Sequence, residues 1–103
     1  MFQLLFLYPP PADVDQFEAD FAAHLMLLHE KADIPADSKP YTVTRFMPTP
    51  DGALVYYLML TLHFETPEAL DAAAESPAMQ EVGTDVYRIS TGGVPVILMG
   101  NSE

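Results

Sequence analysis

The chain has 103 residues, half of them hydrophobic, no cysteine, and fifteen acids against four bases for a net charge of −11. Disorder is excluded by the apolar content, and disulfides, thiolate metal sites and cysteine nucleophiles by the absence of thiols. The bases are only Lys31, Lys39, Arg45 and Arg88; so few scattered cations exclude nucleic acid and anionic membrane surfaces as partners.

The start, Phe2 to Tyr8, is a short apolar, aromatic-rich run stopped by Pro9-Pro10-Pro11. It reads as a buried strand. It lacks a basic start and a small-residue cleavage site, and it is far shorter than the ~20 residues that span a bilayer. A cytoplasmic protein is the expectation.

Residues 13–32 switch to helical period, with Val14, Phe17, Phe21, Leu25, Leu28 and Ala32 on one stripe. Asp13 is the expected N-cap, and Gln16 stands at the capping-box position. Residues 33–40 form a loop with two prolines.

Tyr41 to Met47 predicts a second strand, Pro48 to Gly52 a turn, and Val55 to Phe64 the third and strongest strand. Thr66-Pro67 opens a short helix running to about Ala74, and Ser76-Pro77 opens another, with Met79, Val82 and Val86 on its stripe. Thr91-Gly92-Gly93 is a turn, and Val94 to Met99 the last strand.

The order is β-α-β-β-α-β with the second helix in two pieces, the arrangement of a ferredoxin-like α+β fold with an antiparallel sheet. It accounts for residues 1–103 as one domain. Helices in this fold cover one sheet face, so the other face of a monomer should alternate apolar with polar residues. These strands do not. Leu58, Leu60 and Leu62 oppose Tyr57, Met59, Thr61 and His63, and Leu4, Phe6 and Tyr8 oppose Leu5 and Leu7. A second copy is the expected cover, since soluble monomers tolerate only a few hundred Å² of contiguous apolar surface. Tyr57, Thr61 and His63 are assigned to the inside of the resulting enclosure.

Leu5-Phe6-Leu7-Tyr8 before the prolines, Phe17 and Phe21 leading to His24, Tyr56-Tyr57-Leu58, and Ser90-Thr91-Gly92-Gly93-Val94 together resemble the EthD family. The resemblance spans nearly the whole chain. The family's usual His-x-Pro-Leu stretch stands here as His24-Leu25-Met26-Leu27, without the proline. The resemblance implies a dimeric α+β barrel, a homodimer with a pocket in each sheet's concave face. It also implies a link to bacterial breakdown of ethers and other small organic molecules. Superfamily relatives include cofactor-free monooxygenases, lactone isomerases and polyketide cyclases.

His24 is the first candidate for acid/base chemistry. Asp20, one turn earlier, stands where a carboxylate would orient its ring. The alternative is a packing histidine at the stripe's edge. Tyr8, Tyr57 and His63 are candidates to bind or polarise a small hydrophobic molecule, each against an ordinary strand role. Arg45 is expected to pair with a surface acid. No metal centre is expected, because His24 and His29 are five residues apart, about 140° around the helix. No cofactor is expected either. Two functions stand side by side: a small-molecule binder, with or without acid/base catalysis, and an accessory dimeric module whose barrel is filled by its own side chains.

Overall fold

The computed structural model describes residues 1–103. Strand β1 runs Phe2–Tyr8, helix α1 Val14–Lys31, β2 Tyr41–Arg45, β3 Leu58–Phe64, α2 Pro67–Glu75, α3 Pro77–Ile89 and β4 Val96–Asn101. The strands form one antiparallel sheet in the order β2-β3-β1-β4. This is the ferredoxin-like α+β arrangement predicted above.

The helices begin where their caps place them. Asp13 accepts from the Gln16 amide at 3.0 Å, Thr66 from the Ala69 amide at 3.1 Å, and Ser76 from the Met79 amide at 3.1 Å. Each satisfies one otherwise unpaired donor of a helix start. Pro67 and Pro77 occupy first-turn positions, where a missing N–H costs nothing.

Register fixes the two faces. Leu4 pairs with Leu62, Phe6 with Leu60 and Tyr8 with Leu58. All six are buried beneath the helices with Phe17, Phe21, Leu28, Val82, Val86 and Ile89. The opposite face carries no helix. There Leu5 pairs with Thr61 and Leu98, and Leu7 with Met59 and Val96. Leu5, Leu7, Met59 and Val96 are half-buried, and Leu98 is exposed. The bare face is therefore apolar along Leu5, Leu7, Met59, Val96 and Leu98, as the lack of strand alternation predicted. Gln3, Thr42, Thr44, Thr61 and His63 add polar groups toward β2 and the sheet end.

Four strand ends differ from expectation, the last being that of β4, which runs on past Met99 to Asn101. β2 stops at Arg45 and β3 starts only at Leu58. One further rung follows, with the Phe46 amide donating to Tyr57 O. Pro48 and Pro50 cannot donate to a ladder, so the chain then leaves the sheet. It turns at Thr49–Ala53, where Gly52 has φ +85°. β4 begins two residues late, because Pro95 likewise lacks the donor and is buried before the strand starts.

Pro9–Pro11 and the turn after α3 lie in contact. A Cβ built on Gly92 would stand 1.7 Å from the Pro10 carbonyl oxygen. Only glycine allows that approach. No helix is long and apolar enough to cross a membrane.

Candidate functional site

Tyr8, His24, Tyr57 and Arg45 fall in two polar clusters and His63 at a cavity, while His29 and Tyr41 share a hydrogen bond of 2.8 Å beside another cavity. The first cluster lies inside the helix layer. Tyr8, the last residue of β1, donates its hydroxyl to His24 Nε2 at 3.2 Å. His24 Nδ1 donates to Asp85 Oδ2 at 2.8 Å. A carboxylate only accepts, so the proton sits on Nδ1 and Nε2 is free to accept from the tyrosine. Arg88, one turn beyond Asp85 on α3, donates to its other oxygen. The chain of hydrogen bonds thus ties β1 to α1 and α1 to α3.

Tyr8 and His24 are both fully buried, among the rings of Phe17 and Phe21. Burial holds the His24 pKa below the usual imidazole value, although Asp85 pulls the other way. Burial, reinforced by the Asp85 charge, pushes the Tyr8 hydroxyl well up. Burial also pushes Asp85 up, but hydrogen bonds from Arg88 and His24 together outweigh it and leave the carboxyl below its ordinary value.

The carboxylate that orients His24 is therefore Asp85, not Asp20. Asp20 instead accepts from Gln16 Nε2 at 3.0 Å, on the outer side of α1. No local spacing reveals Asp85, which is 61 positions away in sequence. The pattern that bears on it is the α3 stripe of Val82 and Val86, which places Asp85 at the stripe's edge. His24 lines none of the three cavities of the protomer.

The second cluster is at the rim. Tyr57 donates to Glu18, and Arg45 grips the same carboxylate through two nitrogens, at 3.0 and 2.6 Å. The Arg45 hydrogen bond is the main reason the Glu18 pKa is lowered. The bond to Glu18 is likewise the main reason Tyr57 is raised. Tyr57 stacks edge-on against Phe17 at 5.6 Å, so it faces α1 rather than the bare sheet face to which alternation assigned it. The cause is the late start of β3: Tyr57 precedes the strand, and its parity does not carry over. Arg45 pairs with an acid, as expected.

The cavity, of about 400 Å³, opens where the C-terminal end of α1 meets the end of β3 and the corner between α2 and α3. Leu28, Leu62, Phe64 and Met79 supply apolar wall, while Lys31 and His63 bring polar groups to it. Of the residues predicted from sequence, only His63 belongs to it. His63 Nε2 shares a hydrogen bond of 2.9 Å with Thr42 Oγ1. Tyr8, His24 and Tyr57 lie elsewhere. What the sequence missed is the cavity itself, whose walls come from four separate segments.

Comparison with known proteins adds the following. No protein-family model and no curated protein matches the sequence. Among solved structures, the chain is similar to an ethyl tert-butyl ether D (EthD) family protein of Bacillus halodurans C-125, with a TM-score of 0.82 and 24% identity over 100% of this chain and 99% of that one. The fold is EthD-like. The same EthD-like fold matches a dimeric ferredoxin-like protein of unknown function from Jannaschia sp. CCS1, at TM-score 0.68 and 16% identity over 98% and 97% of the two chains. It also matches an antibiotic biosynthesis monooxygenase, at TM-score 0.59 and 10% identity over 100% and 99%.

Proposed function

We propose that the protein is a two-fold homodimer that binds a small, mainly apolar organic molecule. The observation that carries the binding is the cavity of about 400 Å³, within the range that small-molecule sites occupy. Its walls are mostly apolar, with polar groups confined to a few positions. Dimerisation is supported by the bare face of Leu5, Leu7, Met59, Val96 and Leu98, and by the dimeric description of the Jannaschia protein.

Binding is tested by titrating the protein with 2-naphthylmethanol and following naphthyl emission, since the chain has no tryptophan. Ala73→Trp fills the cavity from α2 and should abolish binding while the fold persists. Unchanged binding in that variant would remove the reading. Sedimentation tests the dimer: Leu5→Asp should give a folded monomer, because the charge lands on the bare face and not in the core.

The hydrogen-bond chain from Asp85 through His24 to Tyr8 favours a second reading, acid/base catalysis with His24 exchanging the proton and Asp85 positioning its ring. A ligand would then have to reach rings that are sealed in the protomer, which places this reading second. The two are separated by the His24 ring resonances. Naphthylmethanol shifts them if the ligand reaches the chain, and leaves them unmoved if it stays at the cavity.

A further inference from the structure

We infer that the cavity sorts ligands by charge, accepting neutral molecules and protonated amines and rejecting organic acids of the same shape. The inference rests on the cavity reading above and names its ligand class.

The first ground is the disposition of cations. All four bases of the chain are already engaged. Lys31 pairs with Glu81 at 3.0 Å, Arg45 with Glu18 and Arg88 with Asp85. Lys39 stands over the Tyr41 ring, 5.9 Å from its centre. Lys31 is the one lysine or arginine at the cavity, where His63 and the acid Asp33 also stand. A carboxylate entering there finds no lysine or arginine free, and the ring left to meet it is that of His63. Drawing Lys31 toward it would break the exposed pair with Glu81, which offsets a small part of the gain. An anion deprived of water and given no free lysine or arginine is disfavoured.

The second ground is the backbone. The C-terminal ends of α1 and α2 both reach the cavity, through Leu28, Lys31 and Ala73. Helix C-terminal ends carry partial negative charge. The start of α3 opposes them, and groups at both kinds of end are mostly taken. Leu28 O accepts from the Ala32 amide and Ala73 O from Ser76, while on α3 few amides remain. Pro77 has no N–H, the Met79 amide donates to Ser76 Oγ, and the Gln80 amide donates to Ser76 O. The third ground is the whole-molecule field, set by a net charge of −11, which repels anions before they arrive.

An amine meets the reverse conditions: the Asp33 carboxylate, two helix C-terminal ends and a negative field. Asp33 has φ +53°, a left-handed conformation that asparagine also adopts readily, so Asp33→Asn removes the charge without straining the loop.

The experiment titrates three probes that share one ring system: 2-naphthylmethanol, protonated 2-naphthylmethylamine and 2-naphthoate. At about 10 mM salt, naphthoate should bind at least about tenfold more weakly than the alcohol, and the gap should narrow at about 0.5 M salt. The amine should bind at least as tightly as the alcohol and lose any advantage in Asp33→Asn. Glu81→Gln releases Lys31 at an exposed position and should raise naphthoate affinity by up to about fivefold with the alcohol unchanged. Naphthoate binding as tightly as the alcohol, or failing to gain in Glu81→Gln, overturns charge selection while leaving the cavity reading intact. If none of the three probes binds, or if Ala73→Trp fails to weaken the alcohol, the cavity reading itself falls and this inference with it.

Discussion

Tyr8 and Tyr57 each reach from the sheet side to α1, and each meets a polar side chain there, yet the surroundings make the two contacts different in kind. Tyr8 closes a sealed chain through His24 to Asp85, with no exposure at Tyr8 or His24. Tyr57 completes a rim cluster with Glu18 and Arg45, in which the arginine side chain is 52% exposed. In the sealed chain, water cannot replace a lost partner, so each hydrogen bond is needed by the other. At the rim, water substitutes for any member, and salt screens the charges. The same polar groups thus make a structural joint in one place and a minor surface contact in the other.

The sharpest test of that contrast is truncation of the joint. His24→Ala should cost about 2–4 kcal/mol in urea unfolding, from the lost ring volume together with a stranded Tyr8 hydroxyl. Tyr8→Phe should cost about 1–3 kcal/mol, because it leaves His24 Nε2 without its donor. A loss under about 0.5 kcal/mol in both variants would erase the distinction between the clusters.

Acid sharpens the contrast further. His24 is held below its unfolded value of about 6.5, so the folded state binds fewer protons than the unfolded chain. Its contribution is therefore fully present above pH of about 6.5 and is lost as pH falls from there toward the folded pKa. Asp85, Arg88 and Tyr8 are the groups that face the ring, and only Asp85 opposes the shift. In His24→Gln, the loss of stability between about pH 6.5 and pH 5 should be smaller than in the unmodified protein. Glu18 is also lowered, but as a carboxylate it loses its contribution in a separate window, as pH falls below about 4.3. The smallest effect is expected at the rim. Arg45→Ala should cost less than about 1 kcal/mol, after allowance for solvent screening, and the cost should vanish in high salt.

The sequence made the helices and the sheet faces legible because their signals are local. Asp13, Thr66 and Ser76 announce their helices within three residues of the amide each one caps. Leu58, Leu60 and Leu62 declare a buried strand face by alternation alone. The site was less legible because its partners are distant. His24 stood out, but its carboxylate is supplied by α3, and Asp20 was the only acid that helical spacing put forward. Tyr57 was misassigned because strand parity was carried past the strand's first residue. The cavity draws on α1, the 32–40 loop, β3 and the α2–α3 corner, and no one-dimensional pattern joins those segments.

The approach of Gly92 to the Pro10 carbonyl bears on how the gene can vary. A methyl group at position 92 would collide with backbone, not with a yielding side chain. Relief requires moving Pro9–Pro11, the segment that directly follows Tyr8. In a saturation library sorted for folded protein, codon 92 should therefore return glycine almost alone. Codons 83 and 100, where an added Cβ meets nothing within 4 Å, should accept alanine freely. The selection would read out, at one codon each, which glycines hold the mouth of β1 against the last turn of the chain and which merely occupy space.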